Sequence, residues 1–412
     1  MKKTFFSNMS FFEFALILYF TVETNFDWNQ IQIVHWGVVA LVLVAYIFKS
    51  GGELDFRFQD YSIWMLGVLI MSVITLVYTV SIGLTVSMIK NLSVMFAVFF
   101  MVRNYMTDYA KIERVLNAYI IGLFISMVYV LFNIDLETLG EVQLGTQTME
   151  GWNGNGIGLS AVSGALLAFY FMIKHIGAWK KLLYFAVFAF FTYIAVYTGS
   201  RTAIVFLILS VILCVYLLKP QKIIRNTILV TVILWGAFYI CMNVEPVYNV
   251  LGIRFEGIFA SITGEGEVDS STLLRNKYRE NGITWIKESP VIGYGTDAYR
   301  SMNASVTGRR TYSHNNFIEI AINWGIMGFC FYYGFYLWCL RNLWKKHQND
   351  LLTICIMVVL FVYSCAHYGT VTYYEIWQNL ILCVATAVIK YEQKDNTLEE
   401  LENDKKASKA IR

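Results

Sequence analysis

The sequence predicts an all-α polytopic membrane protein of about twelve transmembrane helices, with one long external loop that carries an amphipathic helix. Three observations predict it. Of the 412 residues, 57% are hydrophobic and 15% charged, whereas soluble domains average roughly 25% charged. Apolar runs long enough to cross a bilayer, about 17–25 residues each, occur twelve times. Basic residues mark the N-terminus, every second loop and the C-terminus, which is the bias that orients helices in membranes.

The runs lie near 5–24, 31–48, 61–80, 82–102, 112–134, 155–173, 181–198, 202–218, 223–244, 314–340, 351–369 and 373–390. No small-residue cleavage site follows the first, so it reads as an uncleaved helix. Only Ser81-Ile82-Gly83 separates the third run from the fourth. Lys2 and Lys3, Lys49 and Arg57, Arg103 with Lys111 and Arg114, and Lys174 with Lys180 and Lys181 mark one side. Lys219, Lys222 and Arg225, then Arg341, Lys345 and Lys346, then a Lys-rich tail continue it. The alternate short loops are acidic or nearly uncharged, with Glu23, Asp27, Asp135, Glu137, Glu141 and Glu150. Both termini are therefore expected in the cytoplasm and the loop 245–313 outside. The implied organisation is helices one to nine over 1–244, the external loop 245–313, helices ten to twelve over 314–390, and a cytoplasmic tail 391–412.

Composition excludes several functions. A net charge of +3 with scattered basic residues argues against a nucleic-acid partner. All seven cysteines fall in apolar runs without C-x-x-C spacing, so neither a disulfide framework nor a zinc site is expected. Glu265-x-Glu267-x-Asp269 is either a solvated acidic loop, the first reading, or a set of ligands for a divalent cation, and no Asp-x-Asp motif for a metal–nucleotide-sugar site occurs. No internal repeat or low-complexity segment is present, and the tail reads as a solvated topogenic segment.

The polar chemistry gathers in the long loop. From Ser270 the pattern is helical: Asp269-Ser270-Ser271-Thr272 offers N-cap residues and Ser289-Pro290 stops the run. Leu274, Tyr278 and Trp285 form an apolar stripe, while Arg275 and Arg279 are i,i+4 neighbours on another face. That describes a helix lying on the membrane with its charges solvated, or one presenting two guanidiniums to a ligand. Pro290-Val291-Ile292-Gly293-Tyr294-Gly295 is either a plain turn or a set of amides open to an anion. His314 is either an interfacial anchor or, with Asn315, Asn316 and Glu319 as polar neighbours able to orient its ring, a proton-transfer group matched to neutral pH. Arg201, at the start of the eighth run, sits on the expected outer side, where the helix dipole disfavours it. An anion held by Arg201 and the helix amides would resolve that; snorkelling to lipid phosphate would also. Glu13 and Lys90 are ionisable residues within runs and candidates on that ground alone. Taken together, arginines suited to bidentate phosphate binding converge on one histidine, as transfer from a lipid diphosphate requires.

These residues resemble the O-antigen ligase and O-antigen polymerase superfamily, polytopic glycosyltransferases that use undecaprenyl-diphosphate-linked glycans outside the cytoplasmic membrane. The matching pieces are T-G-S-R at 198–201, R-x9-W at 275–285, P-V-I-G-Y-G at 290–295 and S-H-N-N-F-I-E…G-I-M-G at 313–328, with G-N-G at 154–156 a weaker match. They cover about 150–330. The resemblance implies a GT-C-like, metal-independent and cofactor-free enzyme of the bacterial inner membrane. Its partners would be an undecaprenyl-diphosphate-linked oligosaccharide and, in the same pathway, a chain-length regulator and a flippase. Carried over, Arg201 and Arg275 hold the diphosphate and His314 is the base. Arg279, Arg254, Asn315 and Tyr294 complete the binding candidates from this sequence's own spacing. Relatives often carry proline beside Asn155, which leaves that residue without an assigned role. The runs 323–329 and 368–375 resemble capsule or exopolysaccharide polymerases more than ligases. Polymerase is the first reading, ligase the second, and a glycolipid flippase the rival from another class. A flippase would place its polar residues at membrane depth, in repeats or broken helices, and the sequence shows neither.

Overall fold

A computed structural model describes residues 9–24, 31–49, 57–133, 154–198, 200–218, 220–245, 248, 252, 256, 270–347 and 350–391. A helix lies over each predicted run: α1 (Phe11–Glu23), α2 (Gln32–Lys49), α3 (Asp60–Ile74, continued by the 3-10 turn Thr75–Val77), α4 (Ile82–Tyr105), α5 (Tyr109–Phe132) and α6 (Gly154–Lys174). After these come α7 (Ala178–Tyr197), α8 (Arg201–Leu218) and α9 (Ile223–Asn243). Two helices of the long polar segment follow, α10 (Ser270–Glu288) and α11 (Ala298–Thr307). The last three are α12 (Asn316–Lys346), α13 (Leu351–Ala366) and α14 (Ile376–Lys390). No strand occurs among the described residues.

Seven of these helices are long and apolar enough to cross a membrane, or eight if the bent pair Thr202–Leu218 and Pro220–Val232 is one span. The expectation of twelve is thus met for helices but not for spanning length. α13 and α14 have 16 and 15 residues; at 1.5 Å per residue they reach about 24 Å, short of a hydrocarbon core of about 30 Å.

Local chemistry explains the helix ends. Ser10 and Glu13 form a capping box on α1: Glu13 N donates to Ser10 Oγ at 3.3 Å and Ser10 N to Glu13 Oε2 at 2.8 Å, satisfying two orphan amides. Glu13 also accepts from Tyr105 Oη and pairs with Arg114 at 3.4 Å. That assigns it a structural role in place of the functional one its position in an apolar run suggested. Lys90, the other such residue, is exposed. Asp108 caps α5 through Lys111 N, and Asp350 caps α13 through Leu352 N.

The core runs through α1–α8 and α12–α14. Between α6 and α8 the helices meet closely. A Cβ on Gly158 would lie 2.8 Å from both Ala203 Cβ and Thr198 Oγ1, so this position in the glycine-rich run serves a small-residue helix contact. It seats the start of α8, where Arg201 stands.

α12 is not continuous. Gly325 has φ 63°, ψ −165° inside it, and the Pro290–Gly295 turn fills the break. Tyr294 N donates to Ile322 O at 2.7 Å, Gly295 N to Asn323 O at 3.1 Å and Ile326 N to Pro290 O at 2.8 Å. The carbonyls freed by the break are satisfied by loop amides, as buried backbone requires. Gly293, at φ 70°, and Gly325 face each other's backbone: a Cβ on Gly293 would meet Ile322 O at 2.3 Å and one on Gly325 would meet Val291 O at 2.1 Å. The turn reading of this motif is the right one; the amides of Tyr294 and Gly295 are spent on α12.

A second, smaller core of Tyr278, Ala298, Tyr299, Ile318 and Ile322 holds α10 and α11 on the first half of α12. Leu274 and Trp285 pack against it. The apolar stripe expected to lie on the membrane is therefore seated on protein, and this sets which way the arginine face of α10 points.

Candidate active site

His314 is the centre of the arrangement. It stands one residue before the N-cap of α12 and has φ 54°, a left-handed conformation that costs a non-glycine residue about 1–3 kcal/mol and concentrates at functional sites. Its neighbours hold it there. Ser313 N donates to Glu319 Oε2 at 3.0 Å, Ser313 Oγ donates to Asn315 O at 2.8 Å, and Asn316 N donates to His367 O at 2.8 Å. Glu319, 1% exposed, thus anchors the turn that carries the histidine.

The ring is clamped by aromatic faces. Tyr278 of α10 stacks on it at 6.0 Å with an interplanar angle of 9°, and Tyr312 lies at 4.3 Å. Nδ1 is buried without a hydrogen-bond partner. Burial above all, and with it the positive charges of Arg275 and Arg279, push the imidazole pKa down to about 4. The ring is therefore neutral at pH 7, able to accept a proton, and lies within the field of two guanidiniums.

Arg279 is locked in place. Its Nη1 donates to Tyr368 Oη at 3.1 Å and Nη2 to Tyr368 O at 3.2 Å, and the guanidinium lies 4.2 Å over the Tyr368 ring. Its Nε is buried and unpaired. A planar fork held this way is pre-organised for an anion. Arg275, one turn earlier on α10, is half-buried.

The structure brings together His314, Arg275 and Arg279, and gives the other candidates different settings. Asn315 is the N-cap of α12, its Oδ1 accepting from Phe317 N at 2.9 Å and Ile318 N at 3.1 Å. Asn316 Oδ1 accepts from Thr372 N and Tyr373 N, and its Nδ2 donates to Tyr333 Oη at 2.9 Å. Neither orients the histidine, which is the role their position suggested; tyrosine stacking does that instead. Tyr294 Oη donates to Glu288 Oε2 at 3.1 Å, at the far end of α10 from Arg275. Asn155 Oδ1 accepts from Ser200 Oγ at 2.8 Å, holding the entry of α6 beside the start of α8. Arg201 opens α8, but its side chain, like all of Arg254 and the run Glu265–Asp269, lies outside the described residues. His367, wholly buried with Nε2 3.0 Å from Gln378 Oε1, is a core histidine.

Sequence reasoning missed five contributors. Arg300 Nε lies 3.2 Å from Asp297 Oδ1 and Nη2 donates to Tyr374 Oη at 3.4 Å. The guanidinium lies 5.9 Å over the Tyr312 ring that packs on His314. Asp297, 3% exposed, has its carboxyl pushed up to about 6 by burial, against the pull of Arg300 and Arg310. Tyr312, Tyr368 and Tyr374 complete the shell. The i,i+3 spacing of Asp297 and Arg300 was a legible sign of pairing; the tyrosines gave none. Among the described residues no group of His, Cys, Asp and Glu side chains could hold a metal ion.

No curated protein matches the chain. Residues 185–333 match the protein family described as O-antigen ligase. That stretch begins in α7, contains Arg201, α10 and α11, and ends in α12 beyond His314, so the match and the geometry fall on the same segment. The match over that segment supports the resemblance to the O-antigen ligase and polymerase superfamily.

Proposed function

We propose that this protein polymerises a bacterial surface polysaccharide such as an O-antigen, capsule or exopolysaccharide. It would transfer glycan from an undecaprenyl-diphosphate donor to a hydroxyl of a lipid-linked repeat unit, at the outer face of the cytoplasmic membrane. One observation carries the reading: an imidazole whose buried Nδ1 has no hydrogen-bond partner lies in the field of two arginines on one helix face. The transfer breaks the bond between the anomeric carbon and the diphosphate oxygen and forms one to the acceptor oxygen. The acceptor proton passes to His314, and the negative charge left on the diphosphate is stabilised by Arg275 and Arg279, with Arg201 as a third candidate.

The electrostatics support this order of events. The arginines by themselves depress the basicity of His314. A bound diphosphate offsets their charge, so His314 becomes a better base when the donor is in place. The GT-C-like architecture and independence from metal belong to the same proposal.

Purified protein supplied only with undecaprenyl-diphosphate oligosaccharide, in the presence of a chelator, is expected to make longer lipid-linked chains. Transfer only to a lipid A core or to protein would instead make it a ligase. Passage of the lipid across proteoliposomes with no elongation would make it a flippase.

A further inference from the structure

Away from the arginines, at the ends of α1, α2, α6 and α14, the helices enclose a cavity of about 250 Å³. Glu23 closes α1 and His35 stands in the first turn of α2; they pair directly in its wall, with His35 Nδ1 2.5 Å from Glu23 Oε1. Their side chains are 5% and 16% exposed, so the pair is fixed, not a solvated surface contact. Tyr19, Tyr374, Glu375 and Trp377 supply further walls. Trp377 is 3% exposed, and its indole N–H is buried beside Glu375 without a well-formed hydrogen bond.

Two properties of the lining select a ligand class. No lysine or arginine lines it among the described residues, while two glutamates do. A diphosphate finds no cationic partner there. Aromatic faces together with fixed carboxylates and an unsatisfied N–H suit a neutral ligand rich in hydroxyls, which donates to carboxylates and stacks its C–H face on rings. The cavity is also joined to the histidine. Tyr374 lines it and accepts from Arg300 Nη2 at 3.4 Å; Arg300 lies over Tyr312, and Tyr312 packs on His314 at 4.3 Å.

We infer that this cavity binds sugar residues of a substrate glycan, with Glu23, positioned by His35, and Glu375 receiving sugar hydroxyls. The inference rests on the proposed glycan transfer and adds a subsite separate from the diphosphate-binding arginines. The glycan belongs either to the donor or to the acceptor; the chemistry is the same.

The test uses full-length protein in lipid nanodiscs. The probe is the free oligosaccharide repeat released by mild acid from the host cell's own lipid-linked substrate, which carries no diphosphate. Glu23→Gln is expected to weaken its binding, read by tryptophan fluorescence, by about tenfold to a hundredfold, the loss expected for a hydrogen bond to a charged group. KM for the lipid-linked substrate rises by a similar factor while kcat stays nearly constant. Val94→Phe, which fills the cavity from α4 and leaves the Glu23–His35 pair intact, is expected to abolish binding and decides the matter if Glu23→Gln fails to fold. Binding of the probe unchanged in the folded variants overturns the proposal, as does a fall in kcat at constant KM. Separate KM values for a labelled single repeat and for long lipid-linked polymer show whether acceptor or donor occupies the site. Wild-type protein that binds the free oligosaccharide but elongates nothing would uphold the cavity and remove the polymerase reading. Elongation indifferent to both variants would do the reverse.

Discussion

At the scale of single residues, the site depends on how His314 is kept neutral and how Arg279 is kept still. The imidazole pKa is lowered to about 4, first by burial and then by Arg275 and Arg279. A base must be unprotonated to act, so activity is present above that value and lost as pH falls through it. The acid limb of kcat/KM is therefore expected near pH 4, well below the roughly 6.5 of a free histidine. Removing one of the neighbouring charges with Arg279→Gln should move that limb upward; a limb that stays in place would show that the field of Arg279 does not reach the ring. The same shift links to stability. Between the two pKa values the unfolded chain binds the proton and the folded one does not, so His314 contributes a loss of stability as pH drops from about 6.5 towards 4. His314→Ala keeps the backbone turn anchored by Ser313 and Glu319, should fold, and is expected to lose elongation by about 10²–10⁴-fold, the range for a general base. Full elongation by that variant removes the base assignment.

At the scale of elements, the deciding unit is the interlock of α12 with the Pro290–Gly295 turn. The break at Gly325 and the bend at Gly293 are complementary: each removes a side chain that would strike the other's backbone. This holds α10 against the first half of α12 and so faces Arg275 and Arg279 towards His314. Gly325→Ala should strain a positive φ and force a clash with Val291 O at the same time. A loss of more than about 2 kcal/mol is expected, above the cost of an ordinary Gly→Ala change. It should appear as a lowered thermal midpoint and as protease cleavage between α10 and α12; unchanged stability would refute the interlock. The two motifs involved were visible in the sequence as glycine-rich runs, but not that they contact one another. Likewise the helix 270–288 was legible to within a residue from its caps and Pro290. Its apolar stripe was legible too, though not its resting place. Periodicity says that a face is buried and leaves open whether lipid or protein buries it.

At the scale of the whole molecule, the basic-loop pattern predicts that α10 and His314 lie outside. In a variant lacking the seven native cysteines, Lys287→Cys at the end of α10 should react with a membrane-impermeant maleimide added to intact cells. Labelling only after permeabilisation would reverse the orientation and with it the outer-face reading. The positions of the helices followed from sequence alone, though not all their ends, because an apolar run in a membrane must satisfy its backbone internally and has little choice but helix. So did the arginine–histidine pairing of one segment, since i,i+4 spacing and a following helix start are local facts. What only the tertiary structure decided were the partners brought from distant chain: Tyr368 beneath Arg279, Tyr374 against Arg300, and Glu23 against His35 from two helices that frame a cavity. Asn315 and Asn316, which looked like aids to the histidine, proved to be cap and loop anchor. The physical reason is common to all of these. A side chain's partner is set by which helix faces meet, and meeting depends on packing shape, such as the contact of Gly158 with Ala203, that no local pattern encodes.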